Sequence, residues 1–393
     1  MLKAIRKAVS QNRDIKVWNI SLGSAMEVHQ NFISPEAAEL DKIQSDYGVA
    51  FVVAGTNKSR KNDQEMRVGS PADSINSIVV NSVRRDRAPA SYHRVGPVLS
   101  FFHKPDVSSY GGDIGERINV CTPTGIVSMM GTSFAAPWIA RKMAYLIYNM
   151  GLTREVAKAL LIDAAAGWER SDTEASSAVG YGVVPQKIGD ILYSPNDEIR
   201  FIITGTADQY ETYTYSLPVP ISKDKHPYYA RATLCYYPRC SRQQGVDYTN
   251  TELDIHFGRV KESGDRKGIK SINNNVQGDK GHHLLYEGSA RDLYRKWDNI
   301  KHISDSIKER AIPRKKIGDG NWGLSILIKE RLTSSKERSI PFGVVITLKE
   351  MNGINRIDEF VKNCNMRGWI VNRVSVENMV DIYNKAEEEI KFE

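Results

Sequence analysis

Gly131-Thr132-Ser133-Phe134-Ala135-Ala136-Pro137 runs directly into the apolar segment Trp138 to Tyr148. The stretch reads as a small-residue turn that opens a buried helix and carries one serine in its first turn. Backbone N–H groups at a helix start have no partner within the helix, and the helix end carries a positive field. Negative charge developing on an attacked carbonyl would be stabilised there. Gly131 and the two alanines leave room for an approaching backbone. Pro137 is expected near the end of the first turn, where a missing donor costs least. Taken alone, these seven residues fit an ordinary capped helix equally well.

The segments around it narrow the choice. The heptapeptide resembles the nucleophile motif of the subtilisin-like serine proteases, G-T-S-x-A-A-P, at all of its fixed positions. Asn19-Ile20-Ser21-Leu22-Gly23 resembles the strand that lines that family's substrate cleft. Phe51 to Asn57 resembles the buried strand that ends in its oxyanion asparagine. Ser70-Pro71-Ala72, followed by a strand from Ile75 to Val83, resembles the proline-alanine turn beside its specificity pocket. Lys104-Pro105-Asp106-Val107 and Gly180-Tyr181-Gly182 resemble two further family elements. The resemblance covers roughly Leu2 to Pro185 and keeps the family's order.

By that resemblance Ser133 is the nucleophile and Asn57 the oxyanion donor. Ser21, Leu22, Gly23, Pro71 and Ala72 are then substrate-binding residues, and the substrate is a polypeptide lying extended along the cleft. Where the family writes A-G-N, this chain has Ala54-Gly55-Thr56-Asn57, one residue longer. Read without the family, Asn57 is also a turn asparagine and Ser21-Leu22-Gly23 a strand-end turn.

The family's triad runs aspartate, histidine, serine, with the first two in D-[ST]-G and H-G-T motifs. Neither motif occurs in these 393 residues. The alignment puts both upstream of Met1, so the expectation is a nucleophile-bearing piece whose base comes from an upstream fragment. Serine is a weak nucleophile at neutral pH and needs such a base. The alternative is a protease-derived peptide-binding or regulatory protein without turnover. His29, His93 and His103 are read as loop residues, as is the pair His282-His283.

Composition excludes several classes. The net charge of +7 is spread evenly, +3 over residues 1–190 and +4 over 191–393. No basic domain or basic–aromatic interleaving stands out, so nucleic-acid binding is not expected. No apolar run reaches membrane-spanning length. Cys121, Cys235, Cys240 and Cys364 show no metal spacing, and sparse cysteines fit a reducing, cytoplasmic compartment. No cofactor and no metal are expected.

Up to about Pro185, short apolar strands alternate with helices. The expected fold is an α/β domain over 1–190, a subtilisin-like, mostly parallel sheet with helices on both faces. Residues 191–393 change to segments rich in Thr, Tyr, Ile and Val. These predict a mainly-β sandwich or jelly-roll-like domain. Within it, helices are expected over 290–308 and 376–389, and a polar loop over 264–283. Thr233 to Pro238 weakly resembles C-terminal extensions of bacterial subtilases encoded beside an AAA-type ATPase, which would make such an ATPase a partner.

Overall fold

The computed structural model describes residues 1–58, 66–99, 101–168, 177–208, 212–263, 266–272, 297–331 and 339–372. Four strands, β1 (Val17–Ile20), β2 (Ala50–Ala54), β3 (Ile78–Val83) and β4 (Val107–Tyr110), form a parallel sheet in chain order. Val17 pairs with Ala50, Val52 with Ile78, and Val80 with Val107. Strands β2 and β3 are buried along their whole length, so both faces need cover. Helices α1 (Leu2–Gln11) and α2 (Pro35–Tyr47) cover one face, packing Val9, Leu40 and Ile43 with Phe51, Val53 and Val79. Helices α3 (Thr132–Tyr148) and α4 (Arg154–Ala166) cover the other, joining Ile139, Met143 and Leu160 to Val52, Ile78 and Val80. The two-residue alternation along β2 and β3 divides their side chains between the two layers. The expected parallel sheet with helices on both faces is therefore present.

Local chemistry sets the helix limits. Ser34 Oγ accepts from Ala37 N at 3.2 Å, Pro35 opens α2, and Gly48 closes it in a left-handed conformation, as capping preferences dictate. Thr153 caps α4 in the same way through Val156 N. Between β4 and α3 stands an antiparallel hairpin, β5 (Ile118–Thr122) and β6 (Gly125–Met129), whose second strand is wholly exposed.

The later residues form β7 (Glu198–Asp208), β8 (Thr212–Leu217), β9 (Lys225–His226), β10 (Tyr228–Tyr236), β11 (Thr251–Ser263), β12 (Arg266–Ser271), β13 (Ile300–Ser304), β14 (Arg314–Lys315), β15 (Trp322–Glu330) and β16 (Ser339–Glu350). Two four-stranded sheets result, β13-β10-β16-β7 and β12-β11-β15-β8, with every pairing antiparallel. This exchange of strands between two sheets is the jelly-roll order. Its core joins Leu234, Tyr236, Val344 and Ile346 of one sheet to Leu253, Phe257, Trp322 and Ile326 of the other.

The jelly roll packs on α4. Cys235, Ile300 and Val345 belong to the same apolar cluster as Val156, Ala159 and Leu160. At this contact Asp163, fully buried, accepts from Arg231 Nε at 2.8 Å, Arg231 Nη2 at 2.9 Å, Arg200 Nη2 at 3.2 Å and Thr233 Oγ1 at 3.0 Å. Burial opposes the charge on Asp163, but Arg231 and Arg200 outweigh it and hold the carboxyl below its ordinary range.

Two sequence expectations change here. The helix over 290–308 is not formed in its described part, where Ile300–Ser304 is a strand. Cys235 pairs with Ile300 and Arg231 with Ser304, and cross-strand pairing outweighs the local helical pattern. Of the loop over 264–283, Arg266–Ser271 is a strand against β11, while His282 and His283 lie outside the described residues, as does the helix expected over 376–389. A helix at Ile357–Met366 was not anticipated; it buries Phe360 and Cys364 against the jelly roll. The four cysteines are free thiols. Among the described residues no helix is long and apolar enough to cross a membrane, and no group of three His, Cys, Asp or Glu side chains is placed to hold a metal.

Candidate active site

Helix α3 begins at Thr132, with Gly131 before it at φ 151°, a backbone conformation that favours glycine. Ser133 is its second residue, half-buried, and among the described residues neither its N–H nor its hydroxyl has a hydrogen-bond partner. Ala135, Ala136, Ile139 and Met143 bury the rest of the helix face under the sheet. Because α3 starts at Thr132, Pro137 is its sixth residue and falls in the second turn instead of near the end of the first. It cannot donate to the Ser133 carbonyl four residues earlier. Ser21 Oγ fills that place, donating to Ser133 O at 3.2 Å, and Asn19 Nδ2 in turn donates to Ser21 Oγ at 3.1 Å.

Asn57 reaches the same helix end. Its Oδ1 accepts from Thr132 N at 3.1 Å and from Thr132 Oγ1 at 3.0 Å. Because the Thr132 N–H can only donate, the amide orientation is fixed. Its Nδ2 is left without an acceptor among the described residues. The extra residue before it, Thr56, takes a left-handed conformation, φ 66°. Thr56 Oγ1 donates to Gly55 O at 2.6 Å and accepts from Gly69 N at 2.9 Å. The insertion is thus taken up as a local kink, and the amide stays on α3.

Beside Ser133 lies an open cleft of about 280 Å³. Ser21, Leu22, Gly23, Ser24 and Ala25 form one wall, and Ala54, Thr56 and Asn57 the other, with Thr132 and Ser133 between them. Among the described residues, no ionisable side chain lines it. Ser24 N donates to Ser70 O at 2.7 Å, and the buried Arg94 donates to Ala25 O at 2.6 Å. Burial lowers the pKa of Arg94. Pro71 and Ala72 do not line the cleft; they follow Ser70 in the turn that holds Ser24. That turn is braced from below. Asp73 accepts from Ser34 N at 2.6 Å and Ser34 Oγ at 2.8 Å, and burial, partly offset by these bonds, raises its pKa to about 6.

His29, His93 and His103 stand elsewhere. His29 accepts from Asn31 N and stacks on Phe32, His93 Nδ1 contacts Ala90 O, and His103 faces the Tyr181 ring. Lys104 and Asp106 form a buried ion pair at 2.6 Å beneath β3 and β4. Thr132, Thr56 and Arg94 were not singled out as site residues from sequence. Thr132 stood inside the motif, and Thr56 was visible as the extra residue. Arg94 had no signal, since only tertiary packing turns it onto the cleft wall.

The sequence pattern of the Subtilase family matches residues 1–182. Subtilisin-like protease 1 of Trichophyton equinum and its counterpart of Trichophyton tonsurans are each 30% identical over 141 residues, 36% of this chain and 24% of theirs. The chain thus spans about a quarter of the length of these curated relatives. Among solved structures, the prenylagaramide maturation protease PagA is 20% identical, with a TM-score of 0.37 over 49% of this chain and 66% of that one. The epidermin leader peptide processing serine protease EpiP from Staphylococcus aureus is 17% identical, with a TM-score of 0.38 over 48% of this chain and 54% of its own. Taken with the nucleophile motif at the start of α3, the match identifies residues 1–182 as a subtilase-family segment.

Proposed function

We propose that this chain carries the nucleophile and oxyanion side of a subtilisin-type serine endopeptidase. The observation that carries the reading is the convergence of Ser133 and Asn57 on one helix end beside an open cleft. A peptide lying extended along Ser21 to Gly23 would present its carbonyl carbon to Ser133 Oγ. Attack forms the Ser133–carbon bond while a base removes the hydroxyl proton. The oxyanion would be met by Asn57 Nδ2 and the Ser133 N–H, both without other partners among the described residues, in the positive field of α3. Collapse of this intermediate expels the amine, which takes the proton back from the base and leaves an acyl-enzyme; water then releases the acid and restores Ser133.

Among the described residues, no side chain lining the cleft can serve as that base. We assign the base and its orienting carboxylate to a segment outside residues 1–393. The outer edge of β1 supports this assignment: among the described residues it has no strand partner, and an open edge of a parallel sheet is a template for another strand. The same lack of a base favours the second reading, a peptide-binding or regulatory protein without turnover. Hydrolysis of a peptide substrate should be absent for residues 1–393 alone. It should appear when a segment bearing the aspartate and histidine is supplied, and vanish again in Ser133→Ala. Persistent absence in the completed protein would favour the binding reading.

A further inference from the structure

Thr56 does more than absorb an extra residue. It is 6% exposed and lies across the cleft from Gly23. A Cβ built on Gly23 would overlap Thr56 Cγ2 and stand 3.5 Å from Thr56 Cβ. The methyl of Thr56 therefore abuts the Gly23 backbone and joins the two walls at this point.

Neither wall can yield cheaply. Thr56 Oγ1 is held by Gly55 O and Gly69 N, which fixes its rotamer and leaves the methyl no other direction. Opposite it, Ser24 N is tied to Ser70 O and Ala25 O to Arg94. One methyl group, clamped from both sides, thus limits the depth available to a side chain beside Ser133.

We infer that Thr56 is a specificity-determining residue, restricting the substrate residue on the acyl side of the cleaved bond to small side chains such as Gly, Ala or Ser. This rests on the peptide-cleft reading above. A hydrophobic slot discriminates by about tenfold or more for each methylene it refuses. Thr56→Ser removes only the methyl and keeps both hydroxyl hydrogen bonds, so it should deepen the slot without releasing the turn.

The test uses residues 1–393 and acetylated tripeptides with a free C-terminal carboxylate, Ala-Ala-X, where X is Ala, Val, Leu or Phe. Binding is measured by calorimetry, so it needs no turnover. The wild-type chain should bind the Ala peptide about tenfold or more tighter than the Phe peptide. Thr56→Ser should recover most of that loss and leave the Ala peptide within about twofold. Equal binding of Ala and Phe peptides, or an unchanged ratio in a folded Thr56→Ser chain, overturns the inference while the peptide cleft stands. Binding of no peptide by wild type overturns the cleft reading and the inference with it. If Thr56→Ser does not fold, the wild-type series from Ala to Phe decides the question by itself.

Discussion

Ser21 Oγ donates to the Ser133 carbonyl at 3.2 Å, in the place where Pro137 has no N–H to offer. The cleft wall and α3 are joined through a vacancy that the proline creates. Ser21→Ala should leave that carbonyl unpaired and lower stability by about 1 kcal/mol. Pro137→Ala returns an N–H to the helix, so the Ser21→Ala cost should shrink in that background. Urea denaturation of the four proteins of this cycle measures the coupling; additive effects would mean that the two residues do not share the carbonyl.

Asn57 has two separable ends. Its Oδ1 accepts from Thr132, and its Nδ2 is the proposed oxyanion donor. Asn57→Asp keeps the acceptors and removes the donor, so thermal stability should stay close to wild type. In the enzyme completed with its base, the same change should lower kcat by about 10²–10³-fold, the usual cost of one oxyanion donor in proteases of this type. Unchanged kcat would remove Asn57 from the chemistry.

The contact between α4 and the jelly roll depends on one carboxylate. Asp163→Asn keeps the shape but leaves the buried Arg231 without its counter-charge and takes one carboxylate from the partly buried Arg200. Removing one partner of a buried ion group costs about 3–5 kcal/mol. The urea midpoint of the whole chain should fall accordingly, whereas a change under 1 kcal/mol would show that the contact is not buried in solution.

Asp73 makes stability fall as pH rises toward neutrality. Burial raises its pKa from the ordinary 3.8 to about 6 in the fold. The folded state then binds this proton more tightly than the unfolded chain does. The resulting stabilisation is complete below pH 3.8 and is lost as pH rises through 6. Asp73→Asn, which does not titrate, should therefore gain on wild type between pH 4 and pH 8, by roughly 2–4 kcal/mol in total. Parallel pH–stability curves for the two proteins would contradict this.

Most of the first half was legible because its signals are local. Ser34-Pro35 and Thr153 state their caps in sequence, and the apolar strands at Ala50 and Ile78 can only sit between two layers. The jelly-roll strands were legible from alternation, yet Ile300–Ser304 was not. Its Lys301 reads as the solvent side of a helix, but it is buried and paired with Glu252 at 2.9 Å. The hairpin at Ile118–Met129 is hard to read from sequence because neither strand has a fully buried residue and Gly125–Met129 is exposed throughout. At the site, Ser133 and Asn57 were visible from the motif, whereas the Ser21–Ser133 bond, the Thr56 kink and the Arg94 brace arise only once distant segments meet.

Ser133 is proposed as a nucleophile for which no described residue lining the cleft supplies a base. Labelling with a fluorophosphonate probe, followed by mass spectrometry of the modified peptide, tests it most directly. The chain alone should label no more than its Ser133→Ala variant, and the chain supplied with an aspartate- and histidine-bearing segment should label at Ser133. Strong labelling of Ser133 in the chain alone, or labelling of the completed protein at another serine, would contradict the account.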